Sequence, residues 1–167
     1  MRWDRLFDEL EAQASDLELE ERDALVDELR DGDWALTSWR QLLGGRVSLQ
    51  VAGVGRAEGV VVLANEAIVH LRGDAVDQVV NAAAVTVVHA SERRADGPTA
   101  VTSALGWGHV LRALRDAAEE VRIALTDGTT WDGAVDVVGR DFVRVVTPSG
   151  RHQVIPWSVL AVVSGRT

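Results

Sequence analysis

The sequence predicts a mostly β protein with α: N-terminal helices, then two small, strongly bent five-stranded units, each preceded by a helix. Three observations predict it. The hydrophobic period changes from that of a helix to that of a strand at residue 46. Glycine-bearing turns cut the later chain into short valine-rich runs. Residues 47–89 also match residues 121–163 at a constant shift of 74.

The helical segment comes first. Trp3, Leu6, Phe7, Leu10, Ala14 and Leu17 step by three and four, which sets one apolar stripe opposite Asp4, Asp8, Glu9 and Glu11. Ser15 and Glu18 have capping-box spacing, so a second helix is expected to start near Asp16. It would pass through Leu25 and Leu29 and stop at Asp31-Gly32. Residues 1–33 hold 13 Asp/Glu against 4 Arg, so the whole net charge of −9 lies there and residues 34–167 are neutral. A short helical turn over 38–43 ends at Gly44-Gly45.

The strands follow. Val47, Leu49 and Val51 alternate with Ser48 and Gln50, as in a half-buried strand. Further β-type runs cover 59–63, 67–71 and 79–88, and residues 91–102 have linker composition. A helix carries Trp107, Val110, Leu111, Leu114 and Ala118 on one face. Strands then return at 121–125, 131–138, 142–146 and 153–163. The expected organisation is an acidic helical segment 1–33, a first module 34–90, a linker 91–103 and a second module 104–167. The shift of 74 pairs Val47 with Val121, Gly59 with Gly133, Val61 with Val135 and Val69 with Val143. Without a gap it goes on to pair Val80 with Val154, Val85 with Val159 and Val88 with Val162.

Composition bounds the function. At 167 residues and 47% hydrophobic the chain can bury a core. No apolar run approaches the roughly 18–20 residues of a membrane span, so no membrane partner is expected. Met1-Arg2-Trp3-Asp4 does not open a signal peptide. With no cysteine there is no disulfide, thiolate metal site or cysteine nucleophile, and the chain reads as cytoplasmic. All 17 basic residues are arginine. A neutral body offers no cationic footprint for non-specific phosphate binding.

The run Val121-Arg122-Ile123-Ala124-Leu125-Thr126-Asp127-Gly128, then Trp131-Asp132-Gly133-Ala134-Val135 and Phe142-Val143, resembles the Sm/Lsm family, specifically bacterial Hfq. So does Gln153-Val154-Ile155-Pro156-Trp157-Ser158-Val159-Leu160-Ala161-Val162-Val163, as a closing strand pair joined by a tight helical turn. The arrangement is also similar to a group of actinobacterial proteins with an acidic helix and two such modules. The resemblance implies two Sm-like (SH3-like) barrels, with Gly59 and Gly133 where the strands bend most. It implies RNA as the alternative partner, with Phe142 in place of the family's base-stacking aromatic. The family's Lys-His pair is replaced by Pro156 and Trp157. In the first copy Ile68 replaces the aromatic, and Asn81-Ala82-Ala83-Ala84 occupies the turn.

The candidate RNA-binding set is therefore Phe142, Arg144, Arg151 and Trp157, weighed against core packing for the aromatics and a mixed-charge face for the arginines. Trp3, Phe7 and Leu10 form a candidate docking stripe for a protein partner, weighed against packing on the chain's own sheet. His70, His89, His109 and His152 have no metal-ligand spacing, so no metal or cofactor is expected. Gly53, Gly55 and Gly59 match neither a P-loop nor a dinucleotide fingerprint. Asp132 and Asp136 share a strand face, yet no nucleophile, base and orienter converge, so no enzyme is expected. The reading is a non-enzymatic scaffold or adaptor, homo-oligomeric through uncharged strand edges at 85–88 and 159–163, with one edge open to internal pairing of the two modules and one free edge then left at each end of the pair.

Overall fold

The computed structural model describes residues 2–89 and 100–165, with the backbone alone for 2–15. The chain divides into two compact units, Met1–Ser38 and Trp39–Thr167.

The first unit is one helix, α1, Arg2–Ala35. This corrects the expectation of two helices. No proline interrupts the run, its residues are mostly strong helix formers, and a capping-box spacing inside such a run cannot compete with continuing the backbone ladder. Gly32 is carried inside the helix rather than ending it. The end comes three residues later, where Thr37 Oγ1 donates to the Asp33 carbonyl at 2.7 Å.

The described residues of the second unit form ten strands. A 3-10 turn, Trp39–Leu42, leads into β1 (Arg46–Val51), β2 (Gly55–Ala64), β3 (Ile68–Arg72), β4 (Asp77–Asn81) and β5 (Val85–His89). The short α2 (Ala100–Ser103) and the amphipathic α3 (Trp107–Asp116) come next. Then follow β6 (Glu120–Leu125), β7 (Thr130–Val138), β8 (Phe142–Val146), β9 (His152–Pro156) and β10 (Leu160–Gly165). All are antiparallel in one sheet of order β5-β1-β2-β3-β4-β10-β6-β7-β8-β9.

That sheet overturns the expectation of two separate five-stranded barrels. The two sets of five are joined edge to edge at β4·β10, and the sheet does not close. Burial explains why. Valines at 79, 80, 162 and 163 face one another across that seam, and leaving both edges open would expose them. Each buried valine is worth about 1.5–3 kcal/mol.

The duplication persists in the strand order: β5-β1-β2-β3-β4 and β10-β6-β7-β8-β9 are the same permutation. Irregularities recur too. Register shifts between Val61 and Leu63 in one set and between Val135 and Val137 in the other. It shifts again between Gln50 and Val51, and at the matching place between Leu160 and Val162. The gapless shift of 74 holds only through β3 and β8. The β8–β9 turn is one residue longer than the β3–β4 turn, so β4 and β5 match β9 and β10 at 75. Val80 therefore corresponds to Ile155, not Val154: both are buried, whereas Val154 is 61% exposed.

Two cores meet at the seam. The first gathers Leu43, Val47, Leu49, Val69, Leu71 and Val80 but also takes Ala161 and Val162 from β10. The second gathers Trp107 and Leu111 of α3 with Val121, Ile123, Val143 and Ile155, and takes in Ile68 from β3. Among the described residues no helix is long and apolar enough to cross a membrane.

Candidate functional site: the two ends of the sheet

Phe142 and Trp157 are both half-buried. Phe142 opens β8 with its ring laid over Gly139. Trp157 occupies the 3-10 turn after β9, packs on the second core and lies against Gly108 of α3. Its backbone N–H donates to the Asp141 carbonyl at 2.8 Å, while its indole nitrogen is buried with no hydrogen-bond partner. Arg144 donates from Nε to Asp136 Oδ2 at 2.8 Å, and His152 Nδ1 stands 3.7 Å from the same oxygen. Arg151 is exposed in the β8–β9 turn. The four do not form an open aromatic platform flanked by two free cations. Trp3, Phe7 and Leu10 lie on the α1 backbone, but their side chains fall outside the described residues.

The carboxylates are distributed as ion pairs. Asp132 accepts from Arg122 at 2.9 Å, while Asp136 serves Arg144. Asp74 lies below the ordinary carboxylate range because Arg46 donates to it and adds its positive charge. Asp127 is lowered because the Thr129 backbone N–H and hydroxyl both donate to it, which closes the β6–β7 turn. The histidines are dispersed: His70 pairs with Asp77 at 3.2 Å, and His109 Nδ1 accepts from the Gly106 N–H at 3.4 Å. Among the described residues no group of three His, Cys, Asp or Glu could hold a metal ion. An apolar cleft of about 230 Å³ lies at the seam between Leu63, Ile68, Val79, Leu105 and Val110, with His70 and His109 beside them.

What the fold does leave open is the two ends of the sheet. Among the described residues, β5 at one end pairs only with β1, and β9 at the other pairs only with β8. Val87 of β5 is 48% exposed and Val154 of β9 is 61% exposed. Their counterparts at the seam are buried or half-buried: Val162 matches Val87, and Val79 matches Val154. The expected edge at 159–163 is thus corrected. β10 is an interior strand between β4 and β6, because the seam uses it. The edge at 85–88 is an edge in the structure, and the second is β9.

The sequence reading assigns no structural role to two asparagines that carry one. Asn65, 4% exposed, donates through Nδ2 to the carbonyls of Thr102 and Leu105, both at 2.7 Å. Its Oδ1 accepts from the N–H groups of Ala67 and Ile68, so one side chain ties the β2–β3 turn to the chain before α3. Asn81 accepts from Ala83 N–H and donates to the Leu160 carbonyl at 2.8 Å across the seam. An Asn between two apolar strands was the available signal, since its side chain mimics a backbone turn. Replacing Asn65 with alanine leaves two carbonyls and two N–H groups without it. The expected loss is about 2–3 kcal/mol, or roughly 5–10 °C in Tm. A calorimetric shift below one or two degrees would contradict the role assigned to Asn65.

No protein-family model matches this chain, and a search of curated proteins finds no significant match.

Proposed function

We propose that the protein is a non-enzymatic scaffold or adaptor that assembles through the two unpaired edges of its sheet. A resemblance of each five-strand half to the Sm/Lsm family is part of this reading, without closed barrels. One observation carries it: both end strands present exposed valines on an edge that faces no other strand among the described residues. β5, Val-Thr-Val-Val-His, carries none of the charges or prolines that natural sheets use against edge pairing, and β9 carries one of them, a proline at its last residue only. We assign the acidic α1 to a protein partner, and the arginine ion pairs that link β6 and β8 to β7 leave RNA the weaker alternative.

Light scattering on the full chain tests the reading. The expected mass at micromolar concentration is a multiple of 18.0 kDa. Val154→Lys should return it to a folded monomer whose Tm no longer depends on protein concentration, because that side chain is exposed in the single chain. A wild-type mass of 18 kDa rejects assembly through the edges. Nucleic-acid absorbance that copurifies and leaves at high salt would instead favour RNA.

A further inference from the structure

We propose that the apolar cleft under α3 is a binding site for a small uncharged aromatic alcohol, a molecule the size of two fused rings with one hydroxyl group. The cleft lies within one chain, so the site stands whether or not the ends of the sheet assemble.

Both walls are fixed by the structure around them. On the sheet side, His70 faces Val79 in the β3–β4 register, and Ile68 lies two residues along on the same face. Val69 and Leu71, which alternate with them, pack in the first core. On the helix side, Trp107 and Leu111 stand one turn apart and anchor α3 in the second core, while His109 and Val110 line the cleft. Asn65 ties the chain entering α3 to the β2–β3 turn through the carbonyls of Thr102 and Leu105. A ligand therefore has no wall to organise, which removes one of the usual costs of binding. Val79 and Val110 remain half-buried because no described side chain fills the gap between them. Its volume is about 230 Å³. A cavity of about 150 Å³ takes one benzene ring, so this one has room for roughly half as much again, which is the step from one ring to two fused rings.

The polar groups select the head of the ligand. No Asp, Glu, Lys or Arg lines the cleft, and its polar side chains are the two histidines. Each ring has one nitrogen engaged. His109 Nδ1 accepts from the Gly106 N–H at 3.4 Å, which places the proton of the neutral ring on Nε2. His70 Nε2 donates to Asp77 Oδ2 at 3.2 Å, which leaves Nδ1 of the neutral ring as an acceptor. The spare capacity is one donor and one acceptor. A hydroxyl group matches it, with one O–H and two lone pairs. A carboxylate has no proton to donate, and the Asp77 carboxylate beside His70 repels it with no lining cation to offset that. An ammonium has no lone pair for the His109 donor. A bare hydrocarbon leaves both nitrogens unmatched. Such a ligand bridges α3 of one half to β3 and β4 of the other, and so stabilises the folded seam.

The isoleucines make the site visible. The chain has three: Ile68 lines the cleft, while Ile123 and Ile155 lie in the second core. Isoleucine-methyl NMR of the full chain is followed while 2-naphthol is added. The expected result is a saturable shift of the Ile68 methyl, half-complete on the order of 10–100 µM, with the other two nearly still. Naphthalene and 2-naphthoate should each need about tenfold more. His109→Leu changes an exposed position and should weaken 2-naphthol about fivefold while leaving naphthalene as it was. Val110→Phe places a ring in the gap and should abolish the Ile68 shift while the Ile123 and Ile155 signals stay in place. A wild-type Ile68 methyl that does not shift saturably overturns the site. Binding of 2-naphthoate as tight as that of 2-naphthol, or undiminished binding of 2-naphthol by His109→Leu, overturns the ligand class.

Discussion

Val162→Lys is expected to unfold the sheet, where a reading of 159–163 as an outer edge would have it merely dissociate an oligomer. Val162 is 4% exposed, lies opposite Val80 on one side and Ala124 on the other, and packs in the first core. A lysine there must bury its ammonium with no carboxylate partner in that cluster or lose its proton. The cost is roughly 4 kcal/mol or more, among the largest for a single substitution. The sign with pH is distinctive. Burial lowers the folded-state pKa of the lysine below its unfolded value of about 10.4, so the folded form binds fewer protons. Stability should therefore recover as pH rises from the folded pKa toward about 10.4, and no recovery is expected for Val162→Asp. Urea unfolding of the full chain at two alkaline pH values reads this directly. A variant with wild-type stability and a halved mass would mean that β10 is an outer strand after all.

The strands and α3 were legible because their signals are local. Val47, Leu49 and Val51 alternate with polar neighbours, and β1 buries those three. Trp107 and Leu111 sit one turn apart, and α3 buries both. Internal pairing of the two modules through one edge was legible from the duplication; which two strands meet at the seam was not. Pairing of Val80 with Val162 joins positions 82 apart, and nothing in either strand's own pattern distinguishes an interior edge from an outer one. The same valine richness hid the extra residue in the β8–β9 turn. Val154 and Ile155 are both apolar, so a period of two does not say which points inward. Of the candidate RNA set, a mixed-charge face joining Arg144 and Asp136 is legible in the sequence, whereas the geometry of that pair depends on a register shift between Val135 and Val137. At Ser15 and Glu18 a local signal was present and misled, because a cap needs a reason for the preceding helix to stop.

A graded alanine series at Gly133, Gly59 and Gly139 should separate backbone crowding from side-chain crowding. A Cβ on Gly133 would stand 2.2 Å from the Val146 carbonyl oxygen, and one on Gly59 would stand 2.7 Å from the Arg72 carbonyl oxygen. Both neighbours are backbone atoms of the paired strand, in β8 and β3, so relief requires the ladder to part. At Gly139 the nearest atom is closer still, 2.1 Å, but it belongs to the Phe142 ring, which can turn away. Distance alone ranks Gly139→Ala as the worst; the ability of the neighbour to move ranks it as the mildest. The expected losses are about 3 kcal/mol for Gly133→Ala, about 2 for Gly59→Ala and about 1 or less for Gly139→Ala. Equilibrium urea unfolding measures all three. A Gly139→Ala protein that is the least stable of the three would show that the ring is held as rigidly as the backbone, and the ranking by mobility would fall.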